Sequence, residues 1–261
     1  MKKALVTGGT KNDIDAMAVL AINAKEKCPD LFDELVIFHD GVDSDIQKLV
    51  NTVVPTKFIR YKCPVSKIKL MLNGNIRYFS PMVFCKIECF RLLKEYDVVT
   101  WSDYDVVIKE DISDLLYCEG NSFVVNYDTT LEKMFLNSLD RSRVCEYNLH
   151  GESVCTPLFV LKRECISDVD VLCEWYYHTL NKLYKHLYLP EQCLFTMMGQ
   201  RWNIVNNRLN PLEYSEHPSN DNDSVRIIHA YGQPKFWNGL FNENWNTYYQ
   251  QWCDIKNGKN T

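Results

Sequence analysis

The stretch VVTWSDYDVVI, residues 98–108, sets two aspartates, Asp103 and Asp105, inside a run that is otherwise mostly apolar. Buried carboxylates without partners cost on the order of several kcal/mol each, so this pair needs a cation. The β-branched residues around it read as a strand. Residues two apart in an extended chain share a side, so Asp103 and Asp105 converge if Ser102 to Asp105 stays extended at the strand's end. Two hard oxygen donors suit Mg²⁺ or Mn²⁺, and the carboxyl edge of a parallel sheet is where open α/β folds hold ligands. A polar turn whose acids cap the next segment, with Asp111 or Ser113 as further caps, fits the Asp-x-Asp spacing on its own at least as well.

Outward from this strand the chain repeats a pattern. Short apolar or β-branched runs recur at residues 4–7, 34–40, 57–61, 122–127, 157–162 and 225–231. Between several of them lie helical spacings: Asp15 to Glu26 puts Met17, Leu20, Ala21 and Ala24 on one face, and Pro81 to Tyr96 does so with Val83, Ile87, Phe90 and Leu93. Strands alternating with helices predict an α/β class with a mainly parallel sheet covered on both faces. In the second half, Val169 to Tyr188 reads as a helix and Asn203 to Ser224 as a loop-rich stretch.

The 261 residues, 46% of them hydrophobic, are enough for one large domain. A net charge of −5 with no basic block that would track a phosphate backbone argues against nucleic acid. Eleven cysteines, odd in number and scattered without a CxxC pair, read as reduced buried thiols, among them Cys85, Cys89, Cys165 and Cys173. No leader or membrane span is read in the chain, and a cytoplasmic protein is expected.

LVTGGT, residues 5–10, looks like the opening of a short-chain dehydrogenase, with Gly8 and Gly9 ending the strand and turning the chain toward a pyrophosphate. The positions that follow are Lys11, Asn12, Asp13 and Ile14, which lack the further glycines that turn requires. Tyr231 and Lys235 match that family's Tyr-x-x-x-Lys, but Gly232 and Pro234 between them disfavour a helix. A nicotinamide oxidoreductase is therefore the lesser alternative.

The tail supplies what the two aspartates lack. RIIHAYGQPKFW, residues 226–237, places His229 at a strand end and Lys235 beyond a Gly/Pro turn. An imidazole beside carboxylates suits a borderline ion such as Mn²⁺, and a lysine offers a point charge for phosphate. Singly, His229 reads as a packed histidine and Lys235 as a solvated one; with Asp103 and Asp105 they make a metal and diphosphate constellation.

On these residues the chain resembles the family 8 glycosyltransferases, which include glycogenin and the bacterial lipopolysaccharide galactosyl- and glucosyltransferases. The matching pieces are Asp103-Tyr104-Asp105 at a strand end and His229-x-x-Gly232-x-x-Lys235-x-Trp237 in the tail, with Phe236 where the family usually has proline. LVTGGTKND, residues 5–13, resembles the family's opening, with one extra residue; Lys86, in the helix before the Asp-x-Asp strand, falls where the family has Arg or Lys; and LPEQCL, residues 189–194, is similar to its Asp-Gln segment, with Glu191 in place of aspartate.

The resemblance implies a GT-A fold: a Rossmann-like, mostly parallel central sheet flanked by helices in a single domain. Residues 1–127 would be the nucleotide-binding half, and residues 128–261 the acceptor half and metal-binding tail. It further implies a UDP-hexose donor, Mn²⁺ or Mg²⁺ as cofactor, a glycan, lipooligosaccharide or protein acceptor, and retention at the anomeric carbon. In these terms Asp103, Asp105 and His229 are the expected metal ligands. Thr7, Thr10, Asn12, Lys86, Asp103, Tyr104, Gly232 and Lys235 are the expected donor-binding residues, and Gln192, Glu191 and Lys86 the expected catalytic ones. Cys155-Thr156-Pro157 stands where the family has Asn-Ser/Ala-Gly, and Ile14 or Asp15 where its opening turn has an aromatic residue. A sugar-nucleotide binding protein without turnover is a further reading. Peripheral contact with a membrane-bound acceptor is compatible with all of this, although residues 245–259 are not a basic amphipathic helix.

Overall fold

The computed structural model describes residues 1–259, apart from the side chain of residue 127. Among the described residues nine strands form two sheets: β1 (Lys3–Gly9), β2 (Glu34–His39), β3 (Thr56–Arg60), β4 (Val98–Ser102), β5 (Val106–Ile108), β6 (Ser122–Thr130), β7 (Glu152–Lys162), β8 (Asn207–Leu209) and β9 (Ile227–His229). The α-helical segments are α1 (Ile14–Lys27), α2 (Ser44–Val53), α3 (Lys67–Leu70), α4 (Gly74–Phe79), α5 (Glu88–Leu92), α6 (Val169–Leu183), α7 (Pro190–Trp202), α8 (Pro211–Tyr214) and α9 (Glu243–Lys256).

The main sheet runs β3-β2-β1-β4-β7-β6-β8, with β3, β2, β1 and β4 parallel and β7 antiparallel to both its neighbours. Because β4 lies between β1 and β7, all five of its side chains are buried. This accounts for a strand whose Val98, Val99 and Trp101 do not alternate with exposed polar residues, Thr100 and Ser102 being buried as well. One core layer holds Phe84, Phe90, Trp101, Phe159 and Phe195; the other holds Met17, Leu20, Ile37, Val107 and Trp252. The result is a mixed α/β single domain, as the strand and helix alternation predicts.

Several local expectations change. Gly8 and Gly9 do not break β1 but lie within it. A Cβ on Gly8 would come 2.6 Å from Cys85 Sγ and 3.0 Å from Phe38 Cβ. A Cβ on Gly9 would stand 2.9 Å from the Tyr104 ring. The glycine pair therefore serves close packing rather than a turn. Gly8→Ala is expected to lower stability by about 1–3 kcal/mol through overpacking, measured by urea denaturation; an unchanged midpoint would contradict this reading.

Residues 81–92 are not one α-helix: a 3-10 segment runs over Pro81–Ile87 before α5 begins. Phe84, Cys85, Lys86 and Ile87 are all buried in succession, a pattern that a one-faced helix cannot supply. The stretch 203–224 carries β8 and α8 within its turns, and α6 stops at Leu183, short of Tyr188. The aromatic tail forms α9, which packs Trp245, Tyr248 and Trp252 into the core, with Trp252 Nε1 donating to Asp15 Oδ1 at 2.8 Å. All eleven cysteines are free. Among the described residues no helix is long and apolar enough to cross a membrane.

Candidate functional site

The second sheet builds the site. β4 ends at Ser102 and β5 starts at Val106, so Asp103, Tyr104 and Asp105 form a turn between strands rather than the extended continuation expected from the sequence. β5 then pairs antiparallel with β9, Val106 opposite His229, and Ala230 N donates to Asp105 O at 2.9 Å. From the other side, Asn23 of α1 clamps β5: its Nδ2 donates to Ile108 O at 2.9 Å while its Oδ1 accepts from Ile108 N at 2.7 Å. One ligand atom each from Asp103, Asp105 and His229 thereby falls within 4.8 Å of the others.

Oxygen, oxygen and imidazole nitrogen suit Mn²⁺, and the spacing lets one ion reach all three; these residues fit the metal that the resemblance implies. His229 Nδ1 lies 3.0 Å from Ser215 Oγ. When Nδ1 donates that hydrogen bond, Nε2, which faces Asp105 Oδ1 at 3.4 Å, is left free to ligate. Burial works to raise the Asp105 carboxyl, but His229 and Lys235 outweigh it and hold the group well below the usual carboxylate range. Its ionised form therefore adds stability above the pKa of an unfolded aspartate, about 3.9, which is lost as pH falls through the lowered value.

Two lysines flank the carboxylates. Lys235, just past Gly232 with its left-handed φ of 76°, bonds Asp105 and donates to Ala230 O at 2.7 Å. Lys86 is buried and lies 2.8 Å from Asp103 Oδ1 and 3.5 Å from Glu191 Oε1. Burial opposes its charge, but Asp103 and then Glu191 prevail and raise its pKa. Trp101 Nε1 also donates to Asp103 Oδ1 at 2.8 Å.

Thr156, which the sequence showed only as part of a departure from the family, is given a place in the site by the structure. Its carbonyl and its Oγ1 each accept from Lys86 Nζ at 3.0 Å, and Oγ1 donates to Glu191 Oε1 at 3.2 Å. The Cys155-Thr156-Pro157 departure thus locks the lysine and the glutamate into one buried network. The polar signal was a threonine inside an apolar strand; its partners lie 70 and 35 residues away.

A cleft of about 800 Å³ opens over this network. Of the expected residues, Thr10, Lys86, Asp103, Tyr104, Asp105, Glu191, Gln192, His229, Gly232 and Lys235 line it. Thr7 is buried inside β1, its Oγ1 without a hydrogen-bond partner, and does not line the cleft. Asn12 is exposed on the turn before α1 and does not line it either. At one wall Tyr104 packs on Trp237, ring centroids 5.8 Å apart. Below Tyr104, Asp13 accepts from Thr10 N and Oγ1 at 2.8 and 2.7 Å, fixing the opening turn.

Comparison with solved structures places this architecture among glycosyltransferases. The bifunctional glycosyltransferase WbbM, in its apo form, superposes with a TM-score of 0.66 at 15% identity, over 98% of this chain and 51% of WbbM. The chain thus spans about half the length of that protein. The galactosyltransferase LgtC, solved with donor and acceptor sugar analogues, gives a TM-score of 0.66 at 13% identity over 99% of this chain and 96% of LgtC. The glycosyltransferase GlyE of Streptococcus pneumoniae gives 0.60 at 13% identity over 99% of this chain and 63% of GlyE. At such identities the likeness speaks to the fold, which is GT-A. No curated protein sequence matches the chain. The family profile Glycosyl transferase family 8 matches residues 5–240, and the chain belongs to that family.

Proposed function

We propose that this glycosyltransferase moves a hexose from a UDP-sugar to a hydroxyl acceptor, with retention at the anomeric carbon and with Mn²⁺ or Mg²⁺ on the diphosphate. The observation that carries the reading is the convergence of Asp103, Asp105 and His229 within 4.8 Å between two lysines. When bound, the metal would supply charge stabilisation for the departing diphosphate. Lys235 lies on the metal side of the cleft, where its ammonium can turn from Asp105 to a phosphate oxygen. Residues 1–127 would then hold the nucleotide, with Thr10 and the Tyr104 wall nearest the uridine and Asn12 and Thr7 supporting that turn and strand. Residues 128–261 would supply the acceptor side and the His229–Lys235 tail.

Glu191 and Gln192 sit at the start of α7 and line the cleft, where they would face the sugar of the donor. The Glu191 carboxylate is committed to Lys86 and Thr156, which suits it to orienting sugar hydroxyls. Gln192 is a poor nucleophile, so the acceptor oxygen attacks the anomeric carbon from the face that UDP leaves. The bond from that carbon to the phosphate oxygen breaks, the acceptor hydroxyl loses its proton to a diphosphate oxygen, and UDP departs. A sugar found covalently attached to Glu191 or Gln192 during turnover would overturn this order of events.

Incubation with a panel of UDP-sugars and Mn²⁺ tests the whole reading. UDP release, even by slow hydrolysis, is expected for one hexose above the others; tight UDP binding without release would leave only a sugar-nucleotide binding protein. The oxidoreductase alternative is left without support by the family and by Gly8 and Gly9 lying inside a strand. For the same enzyme, Thr156→Val is expected to lower kcat about a hundredfold by freeing Lys86 and Glu191 to shift. Thr156→Ser keeps the hydroxyl and should keep most of the rate. Equal losses in both variants would mean that Thr156 matters only for packing. The acceptor and a cytoplasmic site of action with peripheral contact to a membrane belong to this proposal.

A further inference from the structure

The surface beside the cleft has a composition unlike the rest of the chain. Residues 56–80 contain Lys57, Arg60, Lys62, Lys67, Lys69 and Arg77 and no acid, in a protein whose net charge is −5. Residues 178–190 add Lys182 and Lys185, again with no acid. The two segments are one surface. Asn73 Nδ2 donates to Tyr184 O at 2.7 Å and Leu187 O at 2.9 Å, and Lys69 Nζ reaches Asn181 Oδ1 at 3.4 Å. Lys57 pairs with Glu95, but Arg60, Lys62, Lys67, Arg77, Lys182 and Lys185 pair with no carboxylate among the described residues.

Apolar side chains stand out between these cations. Ile68, in α3, is 82% exposed and Leu72, in the turn just after it, is 69% exposed, with Lys67 and Lys69 the chain neighbours of Ile68. Single exposed aliphatic residues are common on proteins. Here two exposed aliphatic residues fall within an acid-free stretch of chain that continues through Arg77 to Tyr78 and Phe79, which line the cleft.

We propose that this face, built on α3, α4 and the 178–190 segment, docks on a bilayer containing anionic lipid, with Ile68 and Leu72 entering the headgroup layer and the lysines and arginines meeting the phosphates. Unpaired cations attract an anionic surface, and the aliphatic side chains gain from leaving water only where the partner has an apolar interior. A polyanion such as nucleic acid or a sulfated glycan would use the charge but leave Ile68 and Leu72 in water. The docking would bring the rim at Tyr78 and Phe79 down to the membrane, presenting the cleft to an acceptor that is itself lipid-anchored. That last consequence rests on the glycosyl-transfer reading; the docking itself does not.

Co-sedimentation of the full chain with vesicles tests it, without donor or metal. Binding is expected to vesicles of phosphatidylcholine and phosphatidylglycerol in equal parts, not to phosphatidylcholine alone, and should weaken as salt rises. Lys62→Glu with Lys67→Glu is expected to lower the partition coefficient by at least about twenty-fivefold, taking roughly fivefold for each of the two positive charges removed. Ile68→Ser with Leu72→Ser should lower it by a similar factor at unchanged charge. UDP release from a soluble donor is to be followed separately and should be unaltered in both double variants, which shows that they are folded. No binding by the wild type, or full binding by the Lys62/Lys67 variant, overturns the proposal. So does full binding by the Ile68/Leu72 variant, since a polyanion-binding surface is the alternative then left. If UDP release fails in the wild type while vesicle binding behaves as stated, the docking stands and the transfer reading falls.

Discussion

Asp105→Asn is expected to lower metal-dependent turnover of a UDP-hexose by about a thousandfold or more, the largest effect of any conservative change in the cleft. The substitution keeps the shape of the side chain and removes its charge. It takes away one of three groups whose atoms lie within 4.8 Å, and the one bonded to both His229 and Lys235. An amide is a weak ligand for a hard cation, and loss of charge stabilisation at a leaving group is worth several kcal/mol. The backbone of residue 105 is held independently by Ala230 N, so the circular dichroism spectrum should change little, while the urea midpoint at neutral pH should fall because the amide no longer pairs with Lys235 and His229. Titration with Mn²⁺ followed by electron paramagnetic resonance gives a readout besides activity: the wild type should bind an ion that Asp105→Asn does not. Normal turnover in the variant would sink the assignment of this site.

The second large effect concerns stability. Lys86→Met should destabilise the protein by about 3–5 kcal/mol, because it leaves Asp103 and Glu191 facing each other without their shared cation. Lys86→Arg keeps the charge and should recover most of the loss, limited by the longer side chain in a buried space. Denaturant unfolding measures both. A variant as stable as the wild type at neutral pH would show that the network around Lys86 carries no charge.

Parts of the site were legible in the sequence because they are local. Asp103 and Asp105 stood out by being acids in an apolar run, and His229, Gly232 and Lys235 by their spacing around a turn. Period-2 and period-3.6 patterns found α1, β2 and β4 because each buries one continuous face or lies wholly inside. The same logic misread residues 81–92, where a 3-10 segment buries side chains on successive positions, and the Gly8-Gly9 pair, whose reason is Cys85, Phe38 and Tyr104 packed against it. Thr156 was visible only as a departure, since a hydroxyl gains a role from what it bonds, and both partners arrive from other elements.

By itself the sequence determined the α/β class and the buried central strand, and it offered the residue types on which the proposed metal and diphosphate site rests. Those follow from hydrophobic patterning and side-chain chemistry, which act over a few residues. Only the tertiary structure decided that β5 pairs with β9 and so brings Asp105 beside His229, that Lys86 bridges Asp103 and Glu191 through Thr156, and that two acid-free segments join into one cationic face. Each of these depends on contacts between residues 17 to more than 120 positions apart, which the chain acquires only when the sheet closes and buried polar groups must find one another.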